Sequence, residues 1–351
     1  MTLTRSLPTI YDVARAAAVS PSTVSRAFAR PGRVSHSTAQ RIFAAAADVG
    51  YRSTHVAGIR HTGPAKRSMI ALIIADIRNP VYAEMVRGAE AAAAEADYIM
   101  LLAHTQESEQ KERQALERLM PSVDGIVLSS SRMSDLAIRM IAKQKPTIVM
   151  NRAVTDVASV VTDNPRGIRR AAEHLGELGH RNIAYLAGPE SFWADGMRWR
   201  SLREAAWELE LNVRRIGPGV PTVEGGEEVA LEWLQHQTSA VIAYNDQMAM
   251  GFIRALQKRG IQVPEDVSVV GFDNSYGAGL VTPALTTVEA PLYALGSTAV
   301  HNLLAFARGA LSQSGQPVVL PTRLLVRGST SVPAGPPRPH PAGRHQTVPG
   351  P

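Results

Sequence analysis

The stretch from residue 9 to residue 51 contains three short helical patterns separated by turn signals, which restricts it to a compact three-helix unit. Thr9 can cap the first helix, and Asp12 follows in the position of a capping-box acid. Ser20 can cap the second helix, and Pro21 stands at its first position, where a missing N–H costs nothing. Ser35 can cap the third helix. This spacing predicts a helix-turn-helix, which inserts the start of its second helix into the DNA major groove.

Charge separates this segment from the rest of the chain. The first 67 residues contain ten lysines and arginines and two acids, so they carry a net charge of +8. Because the whole chain carries +6, the remaining residues carry −2. A cationic surface suits phosphate binding, and Arg26, about one and a half turns into the second helix, can reach base edges. The alternative is an ordinary three-helix unit whose second helix is simply solvated.

The composition excludes several classes of protein. The chain has no cysteine, so it offers no disulfide framework, thiolate metal site or thiol nucleophile. It has no apolar run of about eighteen residues, and its first residues lead into a helix cap without an apolar leader. A Walker loop and a paired-histidine metal motif are also absent from the sequence. We therefore expect no membrane span, no cofactor and no metal, and a cytoplasmic protein that works on nucleoid DNA.

Five short motifs in the first segment carry a resemblance to a known family. They are Asp12-Val13-Ala14, Val19-Ser20, Thr23-Val24-Ser25-Arg26, Val34-Ser35 and Gly50-Tyr51-Arg52. In this combination the segment resembles the DNA-binding head of the lactose-repressor (LacI/GalR) family. The resemblance implies that the bases are read by Pro21, Ser22 and Arg26. It also implies phosphate contacts from a set of hydroxyl-bearing residues, namely Thr9, Tyr11, Ser20, Thr23, Ser25, Ser35 and Thr38. We expect Arg33 to contact DNA as well.

The sequence departs from the family's pattern in the turn and in the hinge. Ala18 stands where the family usually has glycine, and a left-handed backbone there would cost alanine roughly 1 kcal/mol. Residues 53–67 correspond to a hinge helix that inserts a leucine into the minor groove, but Ser53, Gly58 and Arg60 replace the usual Pro, Arg and Leu. Either Ile59 supplies the apolar wedge in a shifted register, or Arg60 enters the groove as a cation. A plain flexible linker is the third alternative.

From residue 68 onward, short apolar runs alternate with helical patterns. Runs such as MIALIIA and VSVVGF are apolar on both sides, as in the strands of parallel sheets. Two such series predict two doubly wound α/β lobes, with ligands in the cleft between them. The Pro/Gly-rich residues 331–351 have little apolar surface to bury, so we expect them to be disordered.

The family resemblance continues through this second part to about Ser329. It rests on Asp163-Asn164, Leu178-Gly179-His180-Arg181, Asn245-Asp246-Gln247-Met248-Ala249 and the run VPEDVSVVGFD at 263–273. It implies a fold like that of periplasmic sugar-binding proteins, used to sense an effector. The expected organisation is therefore an all-α helix-turn-helix head at 1–52 and a hinge at 53–67. An effector domain follows at 68–330; it is α/β, two-lobed and periplasmic-binding-protein-like, with doubly wound parallel sheets. The tail occupies 331–351.

Polar side chains at the expected strand ends and helix starts are the candidates for effector binding, because ligands of such sheets lie beyond the carboxyl ends of the strands. These candidates are Asp76, Asn79, Tyr82, Asn151, Arg152, Trp193, Arg198, Arg200, Asn245 and Asp273. The family resemblance implies the same role for Asn151, Arg200, Asn245 and Asp273. Helix capping by Asn79 and pairing of Arg152 with a nearby acid are the structural alternatives.

Together these features favour a homodimeric, ligand-responsive DNA-binding regulator, most simply a repressor. Each head would read half of a near-palindromic operator, and a carbohydrate or related effector would lower the affinity of the protein for that operator. One alternative is a sugar-type solute-binding protein without DNA function, and the cationic head argues against it. Another is an enzyme with paired carboxylates in the cleft, but nothing in the sequence marks a catalytic acid.

Overall fold

The computed structural model describes residues 8–29, 33–49, 51, 68–309 and 316–333. The chain folds into two compact units, Met1–Lys66 and Arg67–Pro351, which we call the head and the body. The two hinge residues expected in the minor groove, Ile59 and Arg60, lie outside the described residues, as does the tail from residue 334 onward.

Three helices form the head, and their starts follow the capping signals of the sequence. They are α1 (Ile10–Ala16), α2 (Pro21–Ala29) and α3 (His36–Asp48). Before α1, the Asp12 carboxylate accepts hydrogen bonds from the amide and the hydroxyl of Thr9 at 2.8 and 2.7 Å. Before α2, the hydroxyl of Ser20 accepts a hydrogen bond from the amide of Thr23 at 3.2 Å. These bonds satisfy backbone groups that a helix start leaves without partners.

One side chain from each helix is fully buried at the centre of the head, namely Val13, Val24 and Ile42. The turn between α1 and α2 brings these positions together. Within it Ala18 has a φ angle of +49°, so the left-handed backbone expected at this position is present and is formed by a residue with a Cβ atom.

The body alternates strands and helices along most of its length. Its first part comprises β1 (Met69–Ile74), α4 (Val81–Glu95), β2 (Ile99–His104), α5 (Glu109–Leu119), β3 (Gly125–Ser129), α6 (Asp135–Gln144), β4 (Thr147–Met150) and β5 (Ser159–Thr162). The next part comprises α7 (Asn164–Glu177), β6 (Asn182–Leu186), α8 (Trp193–Glu208), β7 (Asn212–Ile216), α9 (Val223–Trp233), β8 (Ala240–Ala243), α10 (Asp246–Gln257), β9 (Ser268–Asp273), a 3₁₀ turn (Tyr276–Gly279) and β10 (Thr286–Glu289). The last part comprises α11 (Leu292–Ala307), β11 (Val318–Leu320) and β12 (Arg323–Leu325). Among the described residues, no helix is long and apolar enough to cross a membrane.

Two six-stranded sheets form the two lobes, which confirms the expected fold class. The first lobe has the strand order β11-β5-β4-β3-β1-β2, and all its pairs are parallel. The second lobe has the order β12-β10-β9-β8-β6-β7, and only β12 runs antiparallel to its neighbour. Both sheets are therefore doubly wound, with one antiparallel edge strand that the sequence did not predict.

The chain crosses between the lobes three times, at 162–164, 289–292 and 320–323. After completing most of the second lobe, it returns to the first. There α11 packs on α4, and β11 pairs with β5. Neither lobe is therefore a continuous piece of sequence.

Close packing of α11 on α4 depends on glycine in both helices. A Cβ atom at Gly88 of α4 would lie 2.0 Å from the carbonyl oxygen of Tyr293 in α11. Conversely, a Cβ atom at Gly296 of α11 would lie 2.0 Å from the carbonyl oxygen of Met85 in α4. Each helix thus presents a glycine to the backbone of the other, so the axes approach more closely than side chains would permit.

The last described residues are bound to the second lobe. The buried His180 lies with Nε2 2.9 Å from the carbonyl oxygen of Ser331 and Nδ1 2.9 Å from the hydroxyl of Ser239. Nε2 of His174 lies 2.9 Å from the hydroxyl of Thr330. Burial lowers the pKa of both imidazoles, which favours their neutral forms. These contacts bind Thr330 and Ser331 to α7 and the loop that follows it.

Candidate functional site

The start of α2 presents a connected set of polar side chains. The Ser20 hydroxyl lies 2.8 Å from the hydroxyls of both Ser22 and Thr23. Arg26 is exposed, and its Nε donates to the carbonyl oxygen of Ser22 at 3.3 Å while Nη2 donates to the Ser22 hydroxyl at 3.4 Å. The guanidinium is therefore held along the exposed side of the helix that a helix-turn-helix directs at DNA.

The other expected DNA contacts that lie among the described residues of the head are all accessible. Tyr11 is 65% exposed, and Arg33 is exposed. At the start of α3, the hydroxyl of Ser35 accepts a hydrogen bond from the Thr38 amide at 3.4 Å. The exposed members of the expected set are Thr9, Tyr11, Ser20, Pro21, Ser22, Arg26, Arg33 and Ser35, and the half-buried ones are Thr23, Ser25 and Thr38. Several of them lie at helix starts, where free backbone N–H groups favour phosphate oxygens.

A cleft between the lobes of the body forms the second candidate site. About 740 Å³ of space lies within it, open solvent at its mouth included. It lies where strands of both sheets end. Eight of the expected effector residues line it, namely Asn79, Tyr82, Asn151, Arg152, Trp193, Arg198, Asn245 and Asp273.

Arg198 of α8 is the central cation of this cleft. Its Nε donates to Oδ1 of Asn164 at 2.9 Å, Nη1 donates to the carbonyl oxygen of Tyr244, and Nη2 lies 3.3 Å from Oδ1 of Asp273. The guanidinium also lies 3.5 Å from the ring centroid of Phe272. Burial raises the pKa of Asp273 to about 6, and the charge of Arg198 opposes that rise. The pair therefore presents a cation and a carboxylate, both nearly buried, to any ligand.

Two expected residues do not line the cleft. Arg200 is exposed, because it stands two residues after Arg198 in α8 and thus about 200° around the helix axis. Asp76 follows β1, but its carboxylate accepts hydrogen bonds from Nε of Arg78 at 3.1 Å and lies 3.4 Å from Nε2 of His104. The hydrogen bond from Arg78 holds the pKa of Asp76 below its usual value. The expectation that Arg200 and Asp76 face the cleft was therefore wrong.

Some cleft residues also hold the local structure together. Asn245 caps α10, since its Oδ1 accepts from the Met248 amide at 2.9 Å while Nδ2 donates to the carbonyl of Pro221 at 3.1 Å. Arg152 donates to the carbonyl oxygen of Met133 at 2.7 Å and pairs with Asp135. Asn245 therefore caps a helix and Arg152 forms an ion pair, and both residues also line the cleft.

Backbone strain is concentrated at the strand ends that form the cleft. Ser130 after β3 has a φ of +54°, Asn151 after β4 has +58°, and Asp273 at the end of β9 has +106°. Left-handed backbone is uncommon for residues with a Cβ atom and persists where the surroundings impose it. It recurs at three strand ends that line one cleft, which is consistent with a role for this edge of the body in binding.

A second buried carboxylate, that of Asp246, lies near the site. Asp246 accepts hydrogen bonds from the hydroxyl of Thr287 and the amide of Ser275, both at 2.6 Å. Burial, with the nearby charge of Asp273, raises its pKa to about 7. Asp246 does not line the cleft, and its bond to the Ser275 amide holds the segment that follows Asp273.

Several cleft residues were missed by sequence reasoning, namely Glu107, Ser130, Ser131, Arg132, Asn164 and Tyr244. Ser130, Ser131 and Arg132 directly follow β3, so the rule that selected Asn151 after β4 would have found them. The run SSSRMSD reads as a turn, which hid that signal. Glu107 lies three residues beyond the end of β2, and nothing in the sequence places its side chain in the cleft.

Comparisons with known proteins give one match in the head and another in the body. Residues 9–53 match the family described as bacterial regulatory proteins, lacI family, and residues 172–330 match the periplasmic binding protein-like domain. The chain is 35% identical over 341 residues to the HTH-type transcriptional regulator DegA of Bacillus subtilis (strain 168), covering 92% of this chain and 98% of that protein.

Two solved structures resemble most of the chain. The Lac repressor dimer bound to operator and the anti-inducer ONPF has 25% identity and a TM-score of 0.71, over 93% of this chain and all of that one. The complex of the transcriptional regulator CelR with cellobiose has 30% identity and a TM-score of 0.69, over 92% of this chain and 99% of that one. The similarity therefore includes the head as well as the two-lobed body.

Proposed function

Because this chain belongs to the lacI family of bacterial regulatory proteins, we propose that its head reads operator DNA and that a ligand in its cleft controls the affinity. The protein is a DNA-binding transcriptional regulator. Its match to a DNA-binding family at residues 9–53 leaves no support for a solute-binding protein without DNA function. The observation that carries the proposal is the exposed guanidinium of Arg26, aligned by Ser22 at the start of α2.

In the proposed complex the bases are read by Pro21, Ser22 and Arg26. The phosphates are bound by the hydroxyl-bearing residues of the head that were expected to contact them, and by Arg33. The net charge of +8 in the first 67 residues supports this assignment, since phosphate neutralisation dominates the affinity of such proteins for DNA. Entry of either Ile59 or Arg60 into the minor groove is part of the same proposal. The relevant DNA is inside the cell, so we propose that the protein acts in the cytoplasm at the nucleoid.

The proposed partner of the cleft is a carbohydrate or related small molecule. The similar CelR structure contains cellobiose, and the similar Lac repressor structure is a dimer on its operator. We accordingly propose a homodimer on a near-palindromic operator. We propose that the ligand is bound and released unchanged, because the matched family consists of regulatory proteins.

The two-lobed body suggests how the signal would pass. A ligand held by residues of both lobes changes their relative preference for open and closed arrangements. A coupling free energy of about 1–3 kcal/mol would change operator affinity by about 5- to 150-fold. The three crossings at 162–164, 289–292 and 320–323 are where such a movement must be absorbed.

The test is operator binding by the full-length protein, with the operator first obtained by selection from a random DNA pool. Arg26→Ala should weaken binding to the selected site by about 1–3 kcal/mol and relax its base preference. Arg203→Ala, which removes another exposed positive charge, from α8 of the body, serves as the matched control. Equal operator affinity of the Arg26 variant and the wild type would refute the assignment of α2.

A further inference from the structure

The arginines that line the described part of the cleft are each paired with a carboxylate. The pairs are Arg132 with Glu107, Arg152 with Asp135, and Arg198 with Asp273. Three cations and three acids leave this group without net formal charge. An anionic ligand would therefore have to separate one of these pairs or enter beside an existing carboxylate, and both are unfavourable in a partly buried site.

Glu107 faces the cleft from the first lobe and is held there by its backbone. Its carboxylate lies 2.5 Å from the Arg132 guanidinium, and its side chain is 32% exposed. Gln106 and Glu107 have φ angles of +53° and +58°, two successive left-handed residues with Cβ atoms. The Glu107 amide donates to the carbonyl oxygen of Ala75 at 2.9 Å, which ties this strained segment to the end of β1.

The charge of Glu107 also affects Tyr82, another residue of the cleft. Tyr82 is buried on the same side of the cleft, and burial raises the pKa of its hydroxyl, with the Glu107 charge as the next cause. A polar group of a ligand beside Tyr82 therefore also lies in the field of this carboxylate. Neutral hydroxyls can donate hydrogen bonds to this carboxylate, whereas a phosphate or carboxylate would meet an Arg132 that is already paired.

Arg132 is held from the second lobe as well as from the first. The guanidinium carbon lies 3.3 Å from the ring centroid of Phe192, which precedes α8. One face of the guanidinium is thus covered by an aromatic ring, while an edge is bound by Glu107. The phenyl ring in turn lies edge-on to Tyr244, with centroids 6.4 Å apart. Glu107 occupies the place that an anionic ligand group would otherwise take on this cation.

We propose that Glu107 determines the charge specificity of the cleft: by neutralising Arg132 it restricts the site to uncharged polar ligands and rejects phosphorylated ones. This inference rests on the proposed role of the cleft as the effector site. It concerns which chemical class of molecule the site accepts, and it makes Glu107 the residue whose neutralisation would change that class.

The test measures anion binding to the full-length protein without DNA, by calorimetry at constant ionic strength. The probes are glucose 6-phosphate and inorganic phosphate. The Glu107→Gln variant keeps the size of the side chain and frees Arg132, so it should bind these probes about tenfold or more tightly than the wild type does. The matched control is Glu109→Gln, because Glu109 lies two residues further on and pairs with Arg113 in the exposed part of α5.

The double variant Glu107→Gln with Arg132→Gln should lose the gain, which would show that the freed guanidinium binds the anion. Unfolding temperatures without probe establish that each variant is folded. The inference is overturned if the wild type binds the phosphates as tightly as Glu107→Gln does, or if the folded Glu107→Gln protein gains nothing. Failure of cleft ligands to alter operator binding would instead refute the proposed function, because anion binding is measured here without DNA.

Discussion

Replacing Gly296 by alanine should push apart the two helices that cover one face of the first lobe. The added Cβ atom would lie 2.0 Å from the Met85 carbonyl oxygen and 2.9 Å from its carbon, whereas ordinary contact begins at 3.4 Å. The helices α11 and α4 would therefore have to separate by about 1.4 Å at this point. The obstacle is backbone, which cannot rotate out of the way as a side chain can.

The expected loss of stability combines two opposing effects. Overpacking a core costs about 1–3 kcal/mol, and a backbone obstacle calls for the upper end, about 3 kcal/mol. Alanine recovers roughly 1 kcal/mol through its higher helix propensity. Gly296→Ala should therefore lower the free energy of unfolding of the body by about 2 kcal/mol. The control is Gly196→Ala in α8, where a Cβ atom meets nothing within 4 Å and the propensity gain stands alone.

Urea unfolding followed by tryptophan fluorescence measures this difference, because all four tryptophans lie in the body. Gly296→Ala should lower the midpoint, and Gly196→Ala should raise it by the equivalent of about 0.5–1 kcal/mol. A Gly296→Ala protein as stable as the wild type would show that the close helix contact does not constrain the first lobe. The opposite signs of the two substitutions separate packing from helix propensity.

Two further predictions concern buried charge and backbone strain. Because the folded pKa of Asp246 is about 7 and its ordinary value is 3.8, the folded state binds the extra proton, so stability should fall as pH rises through about 7. Asp246→Asn should flatten this part of the pH dependence, which urea midpoints of both proteins at about pH 5 and 8 will measure; equal slopes would contradict the buried carboxylate. Ala18→Gly should relieve the left-handed turn at φ +49° and stabilise the head by up to about 1 kcal/mol, seen as slower amide hydrogen exchange in α1 and α2 of the full-length protein. Faster exchange would mean that the added freedom of glycine in the unfolded chain outweighs the strain.

Local signals in the sequence were sufficient for the architecture of the head. The hydroxyls of Ser20 and Ser35 accept hydrogen bonds from amides three residues later, and these interactions need no distant partner. The left-handed conformation of Ala18 likewise follows from the short turn between two capped helices. In the body, the apolar runs predicted the central strands, and the strand-end rule placed residues such as Asn151 and Asp273 at the cleft.

Contacts between distant parts of the chain decided the rest. The short strands β5, β7, β11 and β12 carry little signal alone, and β11 joins the first lobe only because the chain returns there after the second. Arg198 and Arg200 share one helix and one local environment in the sequence, yet only the packing of α8 turns Arg198 towards the cleft.

The sequence by itself determined where the helices of the head and the central strands of the body begin and where the cationic head lies, because caps, turns and apolar runs act over a few residues. The tertiary structure alone decided that Glu107, Arg132 and Phe192 meet across the cleft, since the last two are 60 residues apart and lie in different lobes. The ligand specificity of a cleft depends on how such distant segments are placed relative to one another. A local sequence pattern does not determine that placement.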